Sequence, residues 1–306
     1  MGKIAFVFSG QGAQYTGMGQ SLYQTNDAAR AVFDAADAIR PGTTAQCFTA
    51  PKEQLSITSN TQPCMFVVEL AAAKALEAAG IRPDFVAGFS LGEVAALTYA
   101  QAVDFKTGFH LVCRRGEVMQ KAAETADTGM AAILKLDNQA VESLCGQFQQ
   151  VYPVNYNCPG QVTVAGLKSE LAPFQAAVKA AGGRAVPLAV SGAFHSPFMA
   201  QAAEQFGAEL QSAEITAPKI PLYSNYTAKP YTGDFRALLQ QQIQNPVRWQ
   251  AIVEDLIANG VDCFIEVGPG KTLCGLISKI SKEVRTCHVE DADSLAATIE
   301  EVSAKC

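Results

Sequence analysis

Several hallmarks of whole protein classes are missing from the 306-residue sequence. Its nine cysteines form no C-x-x-C pair and its three histidines form no cluster at zinc-ligand spacing, so we expect no metal site and no disulfide framework. Reduced thiols in a cytoplasmic protein fit this pattern best. The formal net charge is −6, and the sequence contains no run of basic residues. Both observations argue against nucleic acid as a partner.

Long apolar stretches are missing as well. The N-terminal run MGKIAFVF is too short for a signal peptide, and Phe6 stands where N-myristoylation requires Ser or Thr. No stretch reaches membrane-spanning length, so a membrane is not an expected partner. The sequence is nevertheless 49% hydrophobic and long enough to bury a large core. We expect a monomeric globular protein that acts on a small molecule or another protein.

The predicted elements alternate between strands and helices, which indicates an α/β fold with a largely parallel sheet. Before residue 127 the sequence predicts a first strand, helices near residues 27–40 and 62–80, a strand at 84–87, an alanine-rich helix and an amphipathic helix at 107–124. After residue 190 it predicts a helix following Pro197, a strand at IPLYSN, helices around FRALLQQQIQ and VRWQAIVEDLIANG, a strand at CFIEV and a turn at GPGK.

The segment between those two parts has a different pattern. Residues 127–190 read as strand, helix, strand, strand, helix and strand, which is the order of the ferredoxin-like split unit. We therefore predict a discontinuous large domain, residues 1–126 and 191–306, with a ferredoxin-like small domain of residues 127–190 inserted into it.

A glycine-rich turn follows the first strand, in the segment IAFVFSGQGAQY. A dinucleotide site would need a third glycine where Tyr15 stands, and an acidic residue at the end of a second strand. The acidic residue at about the right distance, Asp34, instead lies in a helical pattern. The turn alone leaves two interpretations open, a simple chain reversal or a functional backbone turn.

The pentapeptide GFSLG at residues 88–92 falls between a predicted strand and helix, the context that the G-x-S-x-G nucleophile motif requires. Ser90 is therefore the candidate nucleophile, and a serine hydroxyl needs a base such as histidine. His110 lies on a polar helix face and His288 stands among acidic residues, so both are expected at the surface. His195 follows a strand and precedes a Ser-Pro helix start, which favours it as the base.

Arg115 is a candidate for binding an anion. In the predicted helix it lies three or four residues from apolar positions on either side, whereas its neighbour Arg114 groups with polar residues. A buried guanidinium is costly unless an anion pairs with it, and its planar fork suits a carboxylate. That carboxylate belongs either to the fold itself or to a ligand.

Eight segments spread over nearly the whole chain resemble one family. They are FSGQGAQYTGMG, GFSLGE, RRGEVMQ, NYNCPGQVTVAG, GAFHSPFM, SNYTAKP, NPVRW and EVGPGK. The sequence that contains them is similar to the malonyl-CoA:acyl carrier protein transacylases, the acyltransferases of type II fatty acid synthesis. The resemblance implies an α/β-hydrolase-like large domain with a ferredoxin-like insertion, which agrees with the predicted element order.

The resemblance also implies roles for individual residues. Ser90 would be acylated by malonyl-CoA, His195 would be its base, and Arg115 would bind the free carboxylate of the malonyl group. The GQGAQ turn would form an oxyanion hole, in which the backbone N–H of Gln11 acts together with that of Leu91. Each such donor is worth about 3 kcal/mol in the transition state.

In this family a backbone carbonyl, rather than a carboxylate, orients the histidine. Alignment on NPVRW points to Gln242, with Gln241 and Gln244 as near alternatives. A carbonyl holds the imidazole tautomer but stabilises imidazolium less than a carboxylate does. Such an arrangement is compatible with thiols as leaving group and acceptor, because neither needs a strong proton donor.

Three further residues concern the substrate. The resemblance places Phe194 beside the acyl group, where its size favours malonyl over a branched acyl group. It also assigns Asn157, in NYNCPG, to substrate binding. One residue departs from the family, because Phe89 stands before the nucleophile where histidine is usual. That departure puts the contacts of the acyl group in question.

The implied reaction is ping-pong transfer of malonyl from malonyl-CoA to the phosphopantetheine thiol of acyl carrier protein, through a malonyl-serine ester and without a bound cofactor. Three alternatives remain: a discrete acyltransferase serving a polyketide synthase, a serine thioesterase or esterase, and a non-catalytic carrier adaptor. An adaptor would be expected to lack the serine or the histidine. For carrier docking, Lys279, Lys282 and Arg285 offer a basic patch, although a solvated helical face gives the same spacing.

Overall fold

The computed structural model describes residues 2–190 and 192–304. Its strands, in chain order, are β1 Lys3–Phe8, β2 Phe85–Gly88, β3 Thr128–Leu134, β4 Val151–Cys158, β5 Gln161–Leu167, β6 Arg184–Pro187, β7 Leu222–Tyr223, β8 Val261–Val267 and β9 Arg285–Val289. They form two sheets. The larger has five parallel strands in the order β7-β2-β1-β8-β9, so the predicted parallel sheet is confirmed.

The helices in the same ranges surround these sheets. They are α1 Gln20–Thr25, α2 Asp27–Ile39, α3 Thr43–Thr49, α4 Lys52–Leu55, α5 Thr58–Ala78, α6 Gly92–Tyr99, α7 Phe105–Ala123, α8 Asn138–Cys145, α9 Lys168–Ala180, α10 Ala200–Ser212, α11 Phe235–Gln244, α12 Trp249–Ala258, α13 Thr272–Ile280 and α14 Ala292–Ser303, with a 3₁₀ turn at Pro197–Met199. None of the helices described is both long and apolar enough to cross a bilayer.

The second sheet is antiparallel and has the strand order β4-β5-β3-β6. With α8 and α9 between its strands, the chain order is strand, helix, strand, strand, helix, strand, as predicted for residues 127–190. Strand β6 ends at Pro187, three residues before the predicted end, and proline cannot donate a ladder hydrogen bond. The predicted domain limits at residues 1, 191 and 306 lie outside the described residues, and so does Cys306.

The prediction was incomplete near the C-terminus. Beyond the GPGK turn it contained no element, whereas the structure has α13, β9 and α14. The helical face suggested for the basic patch is wrong for Arg285, which lies on β9, while Lys279 does lie on α13. Ser281 ends α13 in an extended conformation, with φ −141° and ψ 140°, so the two residues are on different elements.

Both faces of the parallel sheet are covered, which explains the continuous apolar runs of its strands. Alternate side chains of β1 point to opposite faces. Phe6 and Phe8 belong to the core formed with α5 and α7, whereas Ala5 and Val7 pack in a separate core with Trp249 of α12. Since β1 lies in the middle of this sheet, its carboxyl end is shielded from solvent on both faces.

The carboxyl ends of three neighbouring strands meet at one edge of the parallel sheet. Ser9 and the glycine-rich turn follow β1, Ser90 follows β2 and Gly268 follows β8. This edge is where open parallel sheets bind ligands. The antiparallel sheet lies over the same edge, because Asn155 of β4 and Thr163 of β5 line one cavity together with Ser9. Strand β4 is also joined to Val247 by hydrogen bonds from Tyr156 N to Val247 O and from Val247 N to Val154 O, both 2.9 Å.

Glu69 lies in the middle of α5, fully buried, and neither carboxyl oxygen has a hydrogen-bond partner in the described residues. Burial, and the nearby Glu266, raise the pKa of Glu69 well above its usual range. A carboxyl group whose pKa is raised on folding destabilises the folded state as pH rises above its ordinary pKa. We expect the Glu69→Gln variant to exceed wild type in unfolding free energy by about 1–3 kcal/mol at pH 8.5.

The difference is expected to shrink as the pH falls towards about 4, the ordinary pKa of a glutamate, because below it the wild-type carboxyl group is protonated in both states. Urea denaturation at several pH values measures it, with Glu53→Gln on the exposed surface of α4 as the control. Identical pH dependence in wild type and Glu69→Gln would contradict the prediction.

Candidate active site

Ser90 lies on a sharp turn between β2 and α6, with a left-handed φ of 56°. Two glycines make the turn sterically feasible: a Cβ on Gly88 would come within 2.0 Å of the Gly92 backbone, and a Cβ on Gly92 within 2.5 Å of the Phe8 carbonyl oxygen. The Ser90 N–H donates to Asn225 Oδ1 at 2.7 Å. The turn holds the hydroxyl at the sheet edge, in the strand–turn–helix context that the G-x-S-x-G motif predicts.

His195 is the histidine brought to this serine. Its Nε2 lies 2.7 Å from Ser90 Oγ, and its Nδ1 lies 2.9 Å from the backbone carbonyl of Gln242. Since a carbonyl oxygen only accepts, Nδ1 carries the proton and Nε2 is free to accept from the serine. Of the three glutamines considered, the structure thus places Gln242 at the histidine, and neither Gln241 nor Gln244.

The charge state of His195 is set by its surroundings. The side chain is buried, and burial lowers its pKa to about 4, with a further lowering from the positive charge of Arg115. The backbone hydrogen bonds with Gln242 and Asn245 act in the opposite direction. The ring is therefore neutral at pH 7 and able to accept a proton.

Arg115 is fully buried on α7, on the apolar face that the sequence predicted. Its Nη1 donates to Gln62 Oε1 at 2.9 Å, and its Nη2 donates to Gln242 Oε1 at 2.7 Å and to Ser90 Oγ at 3.2 Å. Burial lowers the pKa of Arg115 to about 10, so it stays charged at neutral pH. In the described part of the chain no carboxylate lies within 4.0 Å of it, so a direct ion pair of the fold is not formed.

A small cavity of about 90 Å³ opens above the serine. Polar or catalytically suited side chains on its wall are Gln11, Gln62, Ser90, Asn155 and His195. The backbone N–H groups of Gln11 and Leu91 have no acceptor among residues 2–190 and 192–304. Two unsatisfied N–H groups beside a nucleophile are the donors that an oxyanion requires.

Two phenylalanines shape the apolar part of the same cavity. Phe194 precedes the histidine, is 7% exposed and lines the cavity wall. Phe89 also lines it, and its ring is packed against Trp249 with 5.6 Å between centroids. The residue that departs from the family pattern is therefore part of the apolar wall of this cavity.

A second cavity, of about 240 Å³, leads away from the first between the two sheets. The residues that line both are Gln11, Phe89, Asn155 and Leu188. Asn157 lies on the wall of the second cavity, where its Nδ2 donates to Thr163 Oγ1 at 3.1 Å. Its Oδ1 is buried without a partner in the described residues, and it can accept a hydrogen bond from a ligand.

The other histidines lie outside the site. His110 is exposed and 3.6 Å from Glu209, which also accepts from Arg114 at 2.9 Å. His288 lies on β9, 3.7 Å from Glu290, and its side chain is only 32% exposed, so it is less open to solvent than expected. Neither is near the serine.

The basic patch is divided. Lys279 is exposed and donates to Oε1 of Gln161, a residue of the second cavity, at 3.1 Å. Arg285 is turned towards Asp262, 3.7 Å away on β8, and Lys282 follows α13 in an exposed turn. Only Lys279 of the three is bonded to a residue of the cavity wall.

Four residues of the site carried no role in the sequence analysis. Gln62 contacts Arg115, and Asn225 contacts Ser90. Behind them, the Tyr231 hydroxyl donates a buried hydrogen bond to the Glu93 carboxylate. Polar residues inside otherwise apolar segments, such as Gln62 before CMFVVELAAA, were the available signal. Within the described residues, no three His, Cys, Asp or Glu side chains are placed to hold a metal ion.

Comparison with known proteins shows the family to which this chain belongs. The sequence profile of the acyl transferase domain family matches residues 5–301, which gives the class of protein. The malonyl CoA-acyl carrier protein transacylase of Bacillus subtilis is 38% identical over 313 residues, which cover 98% of this chain and 97% of that relative. The chain belongs to the malonyl CoA-acyl carrier protein transacylase family, as its motifs predicted.

Solved structures of similar proteins have the same fold. The malonyl CoA-acyl carrier protein transacylase of Clostridium perfringens superimposes with a TM-score of 0.96 at 34% identity, covering 99% of this chain and 98% of that one. A malonyl-transacylase solved in complex with its type II polyketide acyl carrier protein gives a TM-score of 0.94 at 35% identity, covering 98% and 99% of the two chains.

Proposed function

We propose that this protein transfers the malonyl group of malonyl-CoA to the phosphopantetheine thiol of acyl carrier protein, for fatty acid synthesis. The observation that carries the proposal is the position of the Ser90 hydroxyl, 2.7 Å from His195 Nε2 and 3.2 Å from Arg115 Nη2. A base and a cation suited to a carboxylate meet at one oxygen atom. The names of the relatives and the complex of a similar transacylase with a carrier protein support the same reaction.

The first half-reaction acylates the serine. Ser90 Oγ attacks the thioester carbonyl of malonyl-CoA while its proton passes to His195 Nε2. The N–H groups of Gln11 and Leu91 stabilise the oxyanion that forms. The C–S bond then breaks, His195 returns the proton to the sulfur, and CoA leaves as the thiol. A malonyl-serine ester remains.

The second half-reaction reverses these steps with a different thiol. The phosphopantetheine thiol of the carrier gives its proton to His195 Nε2 and attacks the ester carbonyl. The C–O bond breaks, Ser90 Oγ takes the proton back, and malonyl leaves as a thioester of the carrier. The Gln242 carbonyl keeps Nδ1 protonated throughout, so Nε2 remains the proton carrier.

Selectivity comes from the walls of the cavities. Arg115 binds the free carboxylate of malonyl, whereas an acyl group without one leaves the buried guanidinium with no carboxylate in direct contact. Phe194 limits the space for a branch next to the carbonyl. Asn157 binds the substrate in the second cavity, where its free Oδ1 accepts a donor from the substrate arm.

We further propose the α/β-hydrolase-like description for the parallel-sheet part and the ferredoxin-like description for residues 127–190, as an inserted domain. The two sheets and their strand orders support this division. Monomeric state, cytoplasmic location and the absence of a bound cofactor stay predictions. The mouth of the second cavity beside Lys279 is the proposed entrance for the carrier's arm.

Intact-protein mass spectrometry tests the reaction. After brief exposure to malonyl-CoA, we expect one malonyl adduct, which disappears on addition of holo acyl carrier protein as malonyl-carrier appears. Acetyl-CoA in a parallel sample is expected to give little adduct. Free malonate released without a thiol acceptor would indicate a thioesterase, and transfer to polyketide carriers but not to fatty acid carriers would indicate the polyketide alternative.

A further inference from the structure

Glu93 is a buried carboxylate that the proposed mechanism leaves unused. It lies in the first turn of α6, three residues after Ser90, and is fully buried. Its Oε1 accepts from the Tyr231 hydroxyl, and its Oε2 accepts from the N–H of Asn225 and from Gln242 Nε2, each at 3.0 Å. Three donors therefore hold this carboxylate directly behind the nucleophile, a position that the proposed mechanism does not explain.

Gln242 connects Glu93 to the reacting groups. Its amide nitrogen donates to the Ser90 carbonyl oxygen at 2.7 Å as well as to Glu93, and its amide oxygen accepts from Arg115 at 2.7 Å. Since Glu93 Oε2 is surrounded by N–H donors, only the nitrogen of this amide can face it. The oxygen must then face Arg115, so Glu93 fixes the orientation of the amide.

Glu93 and Arg115 are opposite charges separated by that one amide. The groups whose charge or protonation acts on Glu93 are Arg115 on α7 and Tyr231 in the segment after β7. In the described part of the chain, the other elements packed on α6, which are α5, β1, β2 and β7, contribute no such group. Arg115 is thus the buried cation that Glu93 balances.

Burial raises the pKa of Glu93 to about 7, against the lowering effects of the hydrogen bonds from Tyr231, Asn225 and Gln242 and of the Arg115 charge. The carboxyl group therefore changes its charge near neutral pH. The geometry allows either state, because the Tyr231 hydroxyl can reverse and accept from a protonated Oε1 while Oε2 keeps its two N–H donors.

We propose that Glu93 is a positioning residue and the internal counter-charge of Arg115, and that it takes up one proton from solvent when a malonyl carboxylate reaches the guanidinium. The inference rests on the proposed function. A second anion at Arg115 repels the Glu93 carboxylate and so favours its neutral form. An acyl group without a carboxylate does not favour the neutral form of Glu93.

The consequence is a pH-dependent preference for malonyl. Well below pH 7 most Glu93 side chains are already protonated, and the malonyl carboxylate meets no competing anion. Above pH 7 the site must first take up a proton, so malonyl acylation slows with rising pH relative to acetyl acylation. The titration of His195 changes both rates by the same factor, because both substrates use the same base, and it therefore cancels in their ratio.

The test measures the second-order rates of Ser90 acylation by malonyl-CoA and by acetyl-CoA between pH 5.5 and 9. Wild type is expected to show a malonyl:acetyl ratio that falls above pH 7. Glu93→Gln mimics the protonated residue, since its amide can donate to Tyr231 and accept the two N–H groups. We expect its ratio to be independent of pH and about tenfold above wild type at pH 8.5, a shift of one pKa unit.

Tyr231→Phe is the second variant. It keeps the carboxylate but removes a donor that lowers its pKa, so the fall in the ratio should move to higher pH. A purely structural role of Glu93 would slow both substrates equally and leave the ratio unchanged.

A ratio that is flat in wild type, or identical in wild type and Glu93→Gln, would overturn the inference while leaving the proposed function intact. If wild type forms no malonyl adduct, the proposed function fails and this inference fails with it.

Discussion

Replacing Ser90 with alanine is expected to abolish the malonyl adduct and to lower the rate of malonyl transfer by about 10⁴-fold or more. The hydroxyl is the one group of the site that lies within hydrogen-bond distance of both His195 Nε2 and Arg115 Nη2. Without it no nucleophile attacks the thioester. No oxyanion then forms for the N–H donors to stabilise, and His195 has no serine proton to accept. Malonyl-CoA binding should persist, because Arg115 still has Gln62 and Gln242 as partners.

Intact-mass measurement of adduct formation and a carrier-transfer assay check this result. The matched control is Ser212→Ala, which removes an exposed hydroxyl at the end of α10 and should leave both readings unchanged. A malonyl adduct of normal abundance on Ser90→Ala would place the nucleophile elsewhere and contradict the assignment.

Arg115→Ala is expected to change which acyl group the enzyme accepts. Removal of one partner of a buried charge pair costs about 2–5 kcal/mol, which corresponds to a loss of about 30-fold to 4,000-fold in kcat/KM for malonyl-CoA. Acetyl-CoA loses no such interaction, so the malonyl:acetyl ratio should fall by a similar factor. The ratio matters more than either rate, because the mutation also removes hydrogen bonds to Ser90 and Gln242 and can slow both substrates.

The neighbouring arginine supplies the control. Arg114 lies on the solvent side of α7, where it pairs with Glu117 and Glu209. Exposed ion pairs contribute about 0–1 kcal/mol, so Arg114→Ala should leave kcat/KM for both substrates nearly unchanged. Equal losses for malonyl-CoA and acetyl-CoA in Arg115→Ala would show that the guanidinium supports the site without selecting the carboxylate.

Much of the site was predictable because its chemistry is tied to local sequence. The G-x-S-x-G motif between strand and helix indicated Ser90, and the spacing of apolar residues put Arg115 on the buried face of its helix. His195 followed from elimination among three histidines. Gln242 needed the family resemblance, since nothing local separates it from Gln241 and Gln244. The structure separates them by placing one carbonyl 2.9 Å from His195 Nδ1.

The groups behind the reacting atoms were not predictable in the same way. Gln62, Glu93 and Tyr231 are far apart in sequence, and no motif indicates which residues they contact. Their partners are fixed only when α5, α6 and the segment after β7 pack together. The elements after the GPGK turn were missed for a related reason, because short amphipathic segments such as β9 gain their stability from the neighbouring strand.

By itself, the sequence determined the alternation of strands and helices, the order of elements along residues 127–190, the nucleophile turn and the family. These are local properties, since periodicity, glycines and motif spacing act within one element or turn. The tertiary structure alone decided how Arg115 is neutralised in the absence of a direct ion pair, through Gln242 to Glu93. A buried charge can be balanced by any group within a few ångströms, and which group that is depends on long-range packing rather than on neighbours in the chain.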